Sequence, residues 1–184
     1  MSRRSTYLLG GLLLLSLFGM VFAGAKILGL DPLARPAHPL VGRRAPDLTL
    51  PLVAGEGAGD RVALSSLRGR VVLLDFWASW CAPCRMSIPR LNEVHARYGD
   101  RVEMLGVNVE SDRAGPFVAM AHRSFRAEFP SLHDQGWQAQ SAFEVERLPT
   151  VLILDRQGVV RWGTHGVPDP DEVAAALDEA LDAP

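Results

Sequence analysis

The sequence predicts an α/β fold, a central mixed β-sheet flanked by helices, behind an N-terminal transmembrane helix. Three observations predict it. From about residue 62 to the C-terminus, short apolar runs alternate with amphipathic or capped stretches. Residues 7–25 carry no charge. The 184 residues leave room for one domain plus a short extra segment. Hydrophobic residues make up 48% and charged residues 22% of the chain, which excludes a disordered polypeptide.

The N-terminal segment comes first. Tyr7 to Ala25 reads YLLGGLLLLSLFGMVFAGA. As a helix it would be roughly 28 Å long, close to the hydrocarbon thickness of a bilayer. Arg3 and Arg4 precede it, and the positive-inside rule places them in the cytoplasm, so the remainder lies outside. The apolar character continues after Lys26 as Ile27-Leu28-Gly29-Leu30, which favours a retained signal anchor over residues 1–30. Ala23-Gly24-Ala25 fits a small-x-small cleavage site, so removal near Ala25 is the alternative. Prolines at 32, 36 and 39 then make residues 31–41 a stiff spacer, and the globular domain occupies 42–184.

Within the domain, Val62-Ala63-Leu64 reads as a short strand. Val71 to Trp77 (VVLLDFW) is apolar except for Asp75, the pattern of a strand buried on both faces. Pro83 suits the first turn of a following helix, where its missing N–H costs nothing. Cys84, Ile88, Leu91, His95 and Tyr98 recur on one face of that helix. Pro89 should kink it, and Gly99-Asp100 ends it. Val102 to Val109 is a second buried strand. Residues 113–126 read as a helix, Phe129 to His133 as a short strand, and Trp137 to Phe143 as a short helix. Thr150 to Leu154 and Val159 to Trp162 form a hairpin across the turn Asp155-Arg156-Gln157-Gly158. Asp169-Pro170-Asp171-Glu172 caps a last helix, with Val173, Leu177 and Leu181 on its apolar face.

Charge and cysteine content narrow the chemistry. The formal net charge is −2, and without Arg3, Arg4 and Lys26 the remainder holds 16 basic against 21 acidic residues. A nucleic-acid binder needs a basic face to neutralise phosphates, so that class is excluded. Two cysteines exclude a multi-disulfide scaffold and a four-cysteine zinc site. The five histidines (38, 95, 122, 133 and 165) show no ligand-type spacing, so no metal site is expected. Cys81 and Cys84 lie three apart, and a bridge across so small a loop constrains the unfolded chain little. Such a pair is kept for chemistry. A thiol–disulfide exchanger needs an exposed thiolate to attack and a second thiol to resolve the mixed disulfide. Cys81 just before a helix meets the first need, because the unpaired N–H groups and the positive dipole end favour the thiolate. Cys84, one turn inside, meets the second.

Asp75-Phe76-Trp77-Ala78-Ser79-Trp80-Cys81-Ala82-Pro83-Cys84 resembles the active-site segment of the thioredoxin fold. Gly42 to Leu50 and Leu64-Ser65-Ser66-Leu67-Arg68-Gly69-Arg70 resemble its membrane-anchored, extracytoplasmic branch. That branch holds the cytochrome c maturation thiol–disulfide proteins (CcmG/DsbE) and the TlpA/ResA-like reductases. An insert at about 112–140 also resembles that branch. The resemblance implies that Leu148-Pro149-Thr150 is a cis-proline loop facing the cysteines, with backbone groups of Leu148 binding an extended substrate strand to strand. It implies that Asp75 is a buried acid with a raised pKa that moves protons for Cys84. Trp80 and Pro83 would contact partners, while Trp77 belongs to the core. Ser87 stands where many cytochrome c maturation members carry a glutamate, and Glu146-Arg147-Leu148 where some have Gly-Ala-Pro or Gly-Val-Pro.

The function implied is an extracytoplasmic protein-disulfide reductase acting on the haem-binding cysteine pair of apocytochrome c. A membrane electron donor of the CcdA/DsbD type would restore the dithiol. No metal or organic cofactor is implied beyond the redox-active Cys81–Cys84 disulfide. The nearest alternative substrate is another exported thiol protein, such as a copper-delivery factor. Two other classes are a peroxiredoxin-like peroxidase and a non-catalytic docking module. Peroxiredoxins carry threonine three residues, and proline seven residues, before the reactive cysteine; here Ala78 and Leu74 stand there, and the peroxide-activating hydroxyl is missing.

Overall fold

The computed structural model describes residues 38–183 together with Ser16 and Met20. The anchor expected over residues 1–30 and the spacer up to residue 37 lie outside the described residues, apart from those two. Among the described residues, no helix is long and apolar enough to cross a membrane.

The centre of the domain is β3 (Val71–Trp77), in which all seven residues are buried. It pairs parallel with β4 (Val102–Asn108) and antiparallel with β6 (Thr150–Leu154). Both faces and both edges are therefore covered, which is why the run is apolar without alternation. Among the described residues the full order is β2 (Arg61–Ala63), β1 (Thr49–Ala54), β5 (Ser131–His133), β4, β3, β6 and β7 (Val160–His165), a mixed sheet of seven strands. β5 (Ser131–His133) lies parallel to β4, and β7 (Val160–His165) antiparallel to β6. The hairpin turn before β7 has Gly158 at φ 75° and donates the Gly158 N–H to the Asp155 carbonyl at 2.9 Å. That conformation suits glycine.

The sheet extends beyond what the sequence reading contained. β1 (Thr49–Ala54) is an additional strand, pairing with β5 on one side and β2 (Arg61–Ala63) on the other. Its buried positions, Leu50, Leu52 and Ala54, alternate as a half-buried strand should. Pro51 within it breaks the usual strand composition. The predicted strand at 62–64 shifts by one residue to become β2, and Leu64 opens a 3-10 turn over Leu64–Leu67.

Helix α1 (Ala82–Tyr98) runs through Pro89 and ends at Gly99. Its buried face holds Cys84, Ser87, Ile88, Leu91, Val94 and Tyr98. Val94, not His95, continues that face; His95 is half-buried, with its ring 6.2 Å from that of Phe129. The residues between β4 and β6 form α2 (Gly115–Ser124), β5 and α3 (Gln138–Ala142). Helix α4 (Pro170–Asp182) begins at the Asp169 cap, whose carboxylate accepts the Asp171 N–H. Tyr98 ties α1 to α4 by donating to the Ala174 carbonyl at 2.8 Å, with Asp178 Oδ1 2.9 Å away.

Residues 38–41, read from their proline as the end of the spacer, are packed into the domain. His38 and Leu40 are buried, and the Gly42 N–H donates to the Val160 carbonyl at 2.8 Å. The chain passes close against β7 here. A Cβ on Gly163 would sit 2.6 Å from Leu152 Cδ2 and 2.7 Å from His38 Cβ. Gly163→Ala should therefore lower stability by about 1–3 kcal/mol, the usual cost of overpacking. The midpoint of urea unfolding measures it, and an unchanged midpoint would refute the close approach.

Candidate active site

The site is built where β3 ends. After Trp77 the chain leaves the sheet through Ala78, Ser79 and Trp80, and the Cys81 N–H closes the turn onto the Ala78 carbonyl at 3.1 Å. Cys81 is the N-cap of α1, with extended φ and ψ of −81° and 97°. Its sulfur accepts from the Cys84 N–H at 3.1 Å. Pro83 falls in the first turn, where its missing N–H leaves nothing unsatisfied. Cys81 and Cys84 form a disulfide with 5.3 Å between their Cα atoms.

The expected exposed sulfur at Cys81 needs correction for this oxidised form. Cys81 is 4% exposed and Cys84 fully buried. The bond draws the Cys81 sulfur back onto the head of the helix. What remains of its surface opens into a groove of about 640 Å³, bordered by Trp80, Pro83, Glu110, Trp137, Glu146 and Leu148. Asp112 also lines it, and among the described residues no basic side chain does. The unpaired N–H groups at the start of α1 are therefore what favours negative charge on Cys81.

Of the sequence-predicted residues, Trp80, Cys81, Pro83 and Leu148 line this groove, and Cys84, Asp75 and Pro149 do not. Trp80 is 70% exposed on its rim, and Trp77 is buried with its indole N–H donating to Ser131 Oγ at 3.0 Å. Leu148 lines the groove, and the Leu148–Pro149 peptide is cis, as the resemblance implies. β7 holds that loop: the Gly166 N–H donates to the Pro149 carbonyl at 2.8 Å. The Thr150 hydroxyl donates to the Arg147 carbonyl at 2.6 Å and lies 2.9 Å from His165 Nδ1. Asp75 does not line the groove. It lies in β3 opposite Gly106 and Val151, fully buried, and neither carboxyl oxygen has a hydrogen-bond partner among the described residues. Burial pushes its pKa up to about 7.

Among the groove residues that the sequence does not point to are Trp137 and Glu110. The sequence predicts Trp137 as the start of a helix; it caps α3 at φ 54° and is 60% exposed. Nothing in its local sequence marks it. Glu110 is buried beside Ser79, and its position just past the carboxyl end of a buried strand is a signal that could have found it. In open α/β sheets that edge is where ligands meet the fold.

Known proteins share this arrangement of elements. The AhpC/TSA family model matches residues 41–163, a span that contains Asp75, both cysteines and Pro149. The chain is 32% identical over 139 residues to the thioredoxin-like protein YneN of Bacillus subtilis (strain 168), covering 74% of this chain and 78% of that protein. It is 32% identical over 139 residues to the thiol-disulfide oxidoreductase ResA of Geobacillus kaustophilus (strain HTA426), covering 75% and 76%. A solved structure from Chlorobium tepidum, assigned as a thiol:disulfide interchange protein DsbE, aligns at a TM-score of 0.67 and 33% identity over 77% of this chain and 97% of that one.

The environment of Asp75 has a measurable consequence. Its pKa is raised from 3.8 to about 7, so the folded state holds the proton more tightly than the unfolded state. Stability is then greatest at low pH and is lost as pH rises between those two values. Asp75→Asn removes the ionisation, so its effect on stability should become more favourable between pH 5 and pH 8 by about 2–3 kcal/mol. Urea unfolding at the two pH values tests this; the same effect at both would contradict a raised carboxyl.

Proposed function

This chain belongs to the AhpC/TSA family and is a thiol–disulfide oxidoreductase of the ResA/DsbE type; we propose that it reduces disulfides of exported proteins outside the cytoplasmic membrane, with the haem-binding cysteine pair of apocytochrome c as its substrate. The observation that carries the reading is the Cys81–Cys84 pair at the head of α1, opening into a groove that also holds Leu148 of the cis-proline loop. The uncharged stretch Tyr7–Ala25 behind Arg3 and Arg4 supports a single-pass anchor with the domain on the far side.

The proposed reaction balances as two exchanges. The Cys81 thiolate attacks one sulfur of the substrate disulfide, forms a mixed disulfide and releases the other substrate sulfur as a thiolate. Cys84 then attacks the Cys81 sulfur, closing the Cys81–Cys84 bond and releasing the second substrate thiolate. Two electrons pass to the substrate. Asp75 takes the Cys84 proton, a role that a buried carboxyl with a pKa of about 7 suits near neutral pH. Leu148 pairs with the extended substrate segment, and Trp80 and Pro83 shape the rim. A membrane dithiol donor of the CcdA/DsbD type returns the electrons. In a peroxidase reading, residue 78 would supply a hydroxyl to the peroxide. Here it is Ala78, fully buried, which favours the reductase.

Cys81→Ser should abolish insulin disulfide reduction. Cys84→Ser should accumulate the mixed disulfide, visible as a shifted band on a non-reducing gel. Absence of insulin reduction by the unmutated protein would remove the catalytic reading and leave a docking module, and activity retained by Cys81→Ser would remove Cys81 as the nucleophile. Equilibration with glutathione should place the potential nearer thioredoxin at about −270 mV than DsbA at about −120 mV. A value near the latter would reverse the direction of electron flow. Deleting the gene should reduce c-type haem, and added thiol reductant should restore it. If c-type haem is unchanged, the substrate is another exported thiol protein.

A further inference from the structure

Glu110 follows the carboxyl end of β4, is 4% exposed, and has no part in the exchange chemistry. Its Oε2 accepts the Ser79 N–H at 2.7 Å and the Asn108 side-chain amide at 3.0 Å. Its Oε1 accepts the Ser79 hydroxyl at 2.7 Å. Both oxygens are held by donors, so the side chain meets the loop as a carboxylate, in hydrogen bonds of the short, charge-assisted kind. Ser79 lies inside the turn that the Cys81 N–H closes onto Ala78. The same glutamate lines the groove into which Cys81 opens.

We propose that Glu110 is a positioning residue that sets the ionisation of Cys81, pinning the Ala78–Cys81 turn and placing a fixed negative charge in the groove into which the attacking sulfur opens. The two effects oppose each other. Pinning keeps Cys81 at the N-cap of α1, where the free N–H groups favour the thiolate. The charge disfavours it, and more strongly than in water because the site is largely enclosed. Three donors spread the carboxylate's charge without cancelling it. The other charged groups lining the groove are Asp112 and Glu146, both acidic and exposed. On the elements packed around it are Asp75 in β3, Arg85 in α1, whose guanidinium lies 5.0 Å over the Phe125 ring, and Arg147 in the cis-proline loop. His133 and Asp134 sit behind Glu110, with His133 Nε2 2.8 Å from the Glu110 carbonyl. A thiolate held less firmly makes the dithiol form less stable, and hence the protein more reducing. The inference rests on Cys81–Cys84 being the redox pair.

Glu110→Gln in the full chain tests it, since a glutamine can keep the tie to Ser79 while losing the charge. The pH profile of Cys81 alkylation in the reduced protein should move its midpoint down by roughly one unit. The glutathione equilibrium, measured at a pH above both midpoints, should shift about tenfold toward the dithiol, equivalent to about 30 mV more oxidising. A midpoint and an equilibrium both at wild-type values would overturn the proposal and leave Glu110 a structural tie. If thermal scans show that Glu110→Gln is unfolded, the unmutated protein labelled with carboxyl-13C glutamate provides the readout. The Glu110 signal should step at the Cys81 midpoint, and the step should vanish in Cys81→Ser; no step would equally overturn it. Failure of the redox-pair reading looks different: Cys81→Ser would then keep its disulfide-reducing activity whatever Glu110→Gln does.

Discussion

β3 is a strand without a solvent side. Each of its residues is buried, so every backbone N–H and C=O in it must find a partner inside the protein. β4 and β6 supply them along its length, in one parallel and one antiparallel ladder. A slip of one residue would send each side chain to the opposite face, exchanging Phe76, which packs on Phe143, with Trp77, which packs on Phe125. The register is thereby fixed. With it are fixed the point where the chain leaves the sheet and the place where Cys81 caps α1. The reactive pair inherits its position from a strand paired on both edges and buried on both faces.

Two carboxyls bear on that exit, Asp75 from within β3 and Glu110 through its hydrogen bonds to Ser79, and the fold treats them in opposite ways. Asp75 is enclosed without a hydrogen-bond partner among the described residues, and burial raises its pKa. Leaving such a group unpaired costs stability that an apolar side chain would not. Its retention in the middle of a core strand is what a proton-handling role would require. Glu110 is equally buried but accepts three hydrogen bonds, two of them from Ser79. One carboxyl is left without a donor and the other is held by three among the described residues. Environment makes the difference, since neither type of side chain has that property by itself.

The segment between β4 and β6 contributes a wall to the groove. The Asp134 N–H donates to the Asn108 carbonyl at 2.8 Å, and the Asp134 carboxylate accepts the Gln140 N–H at 2.8 Å. These bonds seat α3 against the end of β4, and Gln140 and the neighbouring Trp137 both line the groove. A short helix that could not fold alone is thus held by the polar groups at a strand's end.

Much of this was legible in the chain itself. The uninterrupted apolar run of 71–77, the cysteine pair ahead of a proline and an amphipathic stretch, and the capped helix from Pro170 are local patterns, and local patterns survive into the fold because burial and capping act over a few residues. β1 went unread because Pro51 masks an alternation that only its partners β5 and β2 make into a strand. Glu110 and Trp137 went unread for a related reason. Glu110 lies 31 residues from the Ser79 it holds, and no sequence spacing reports that they touch. The sequence determined which sulfurs react and which elements present them. The tertiary structure decided what stands around those sulfurs, because the charge and shape of a groove arise from side chains that meet only after the sheet has closed.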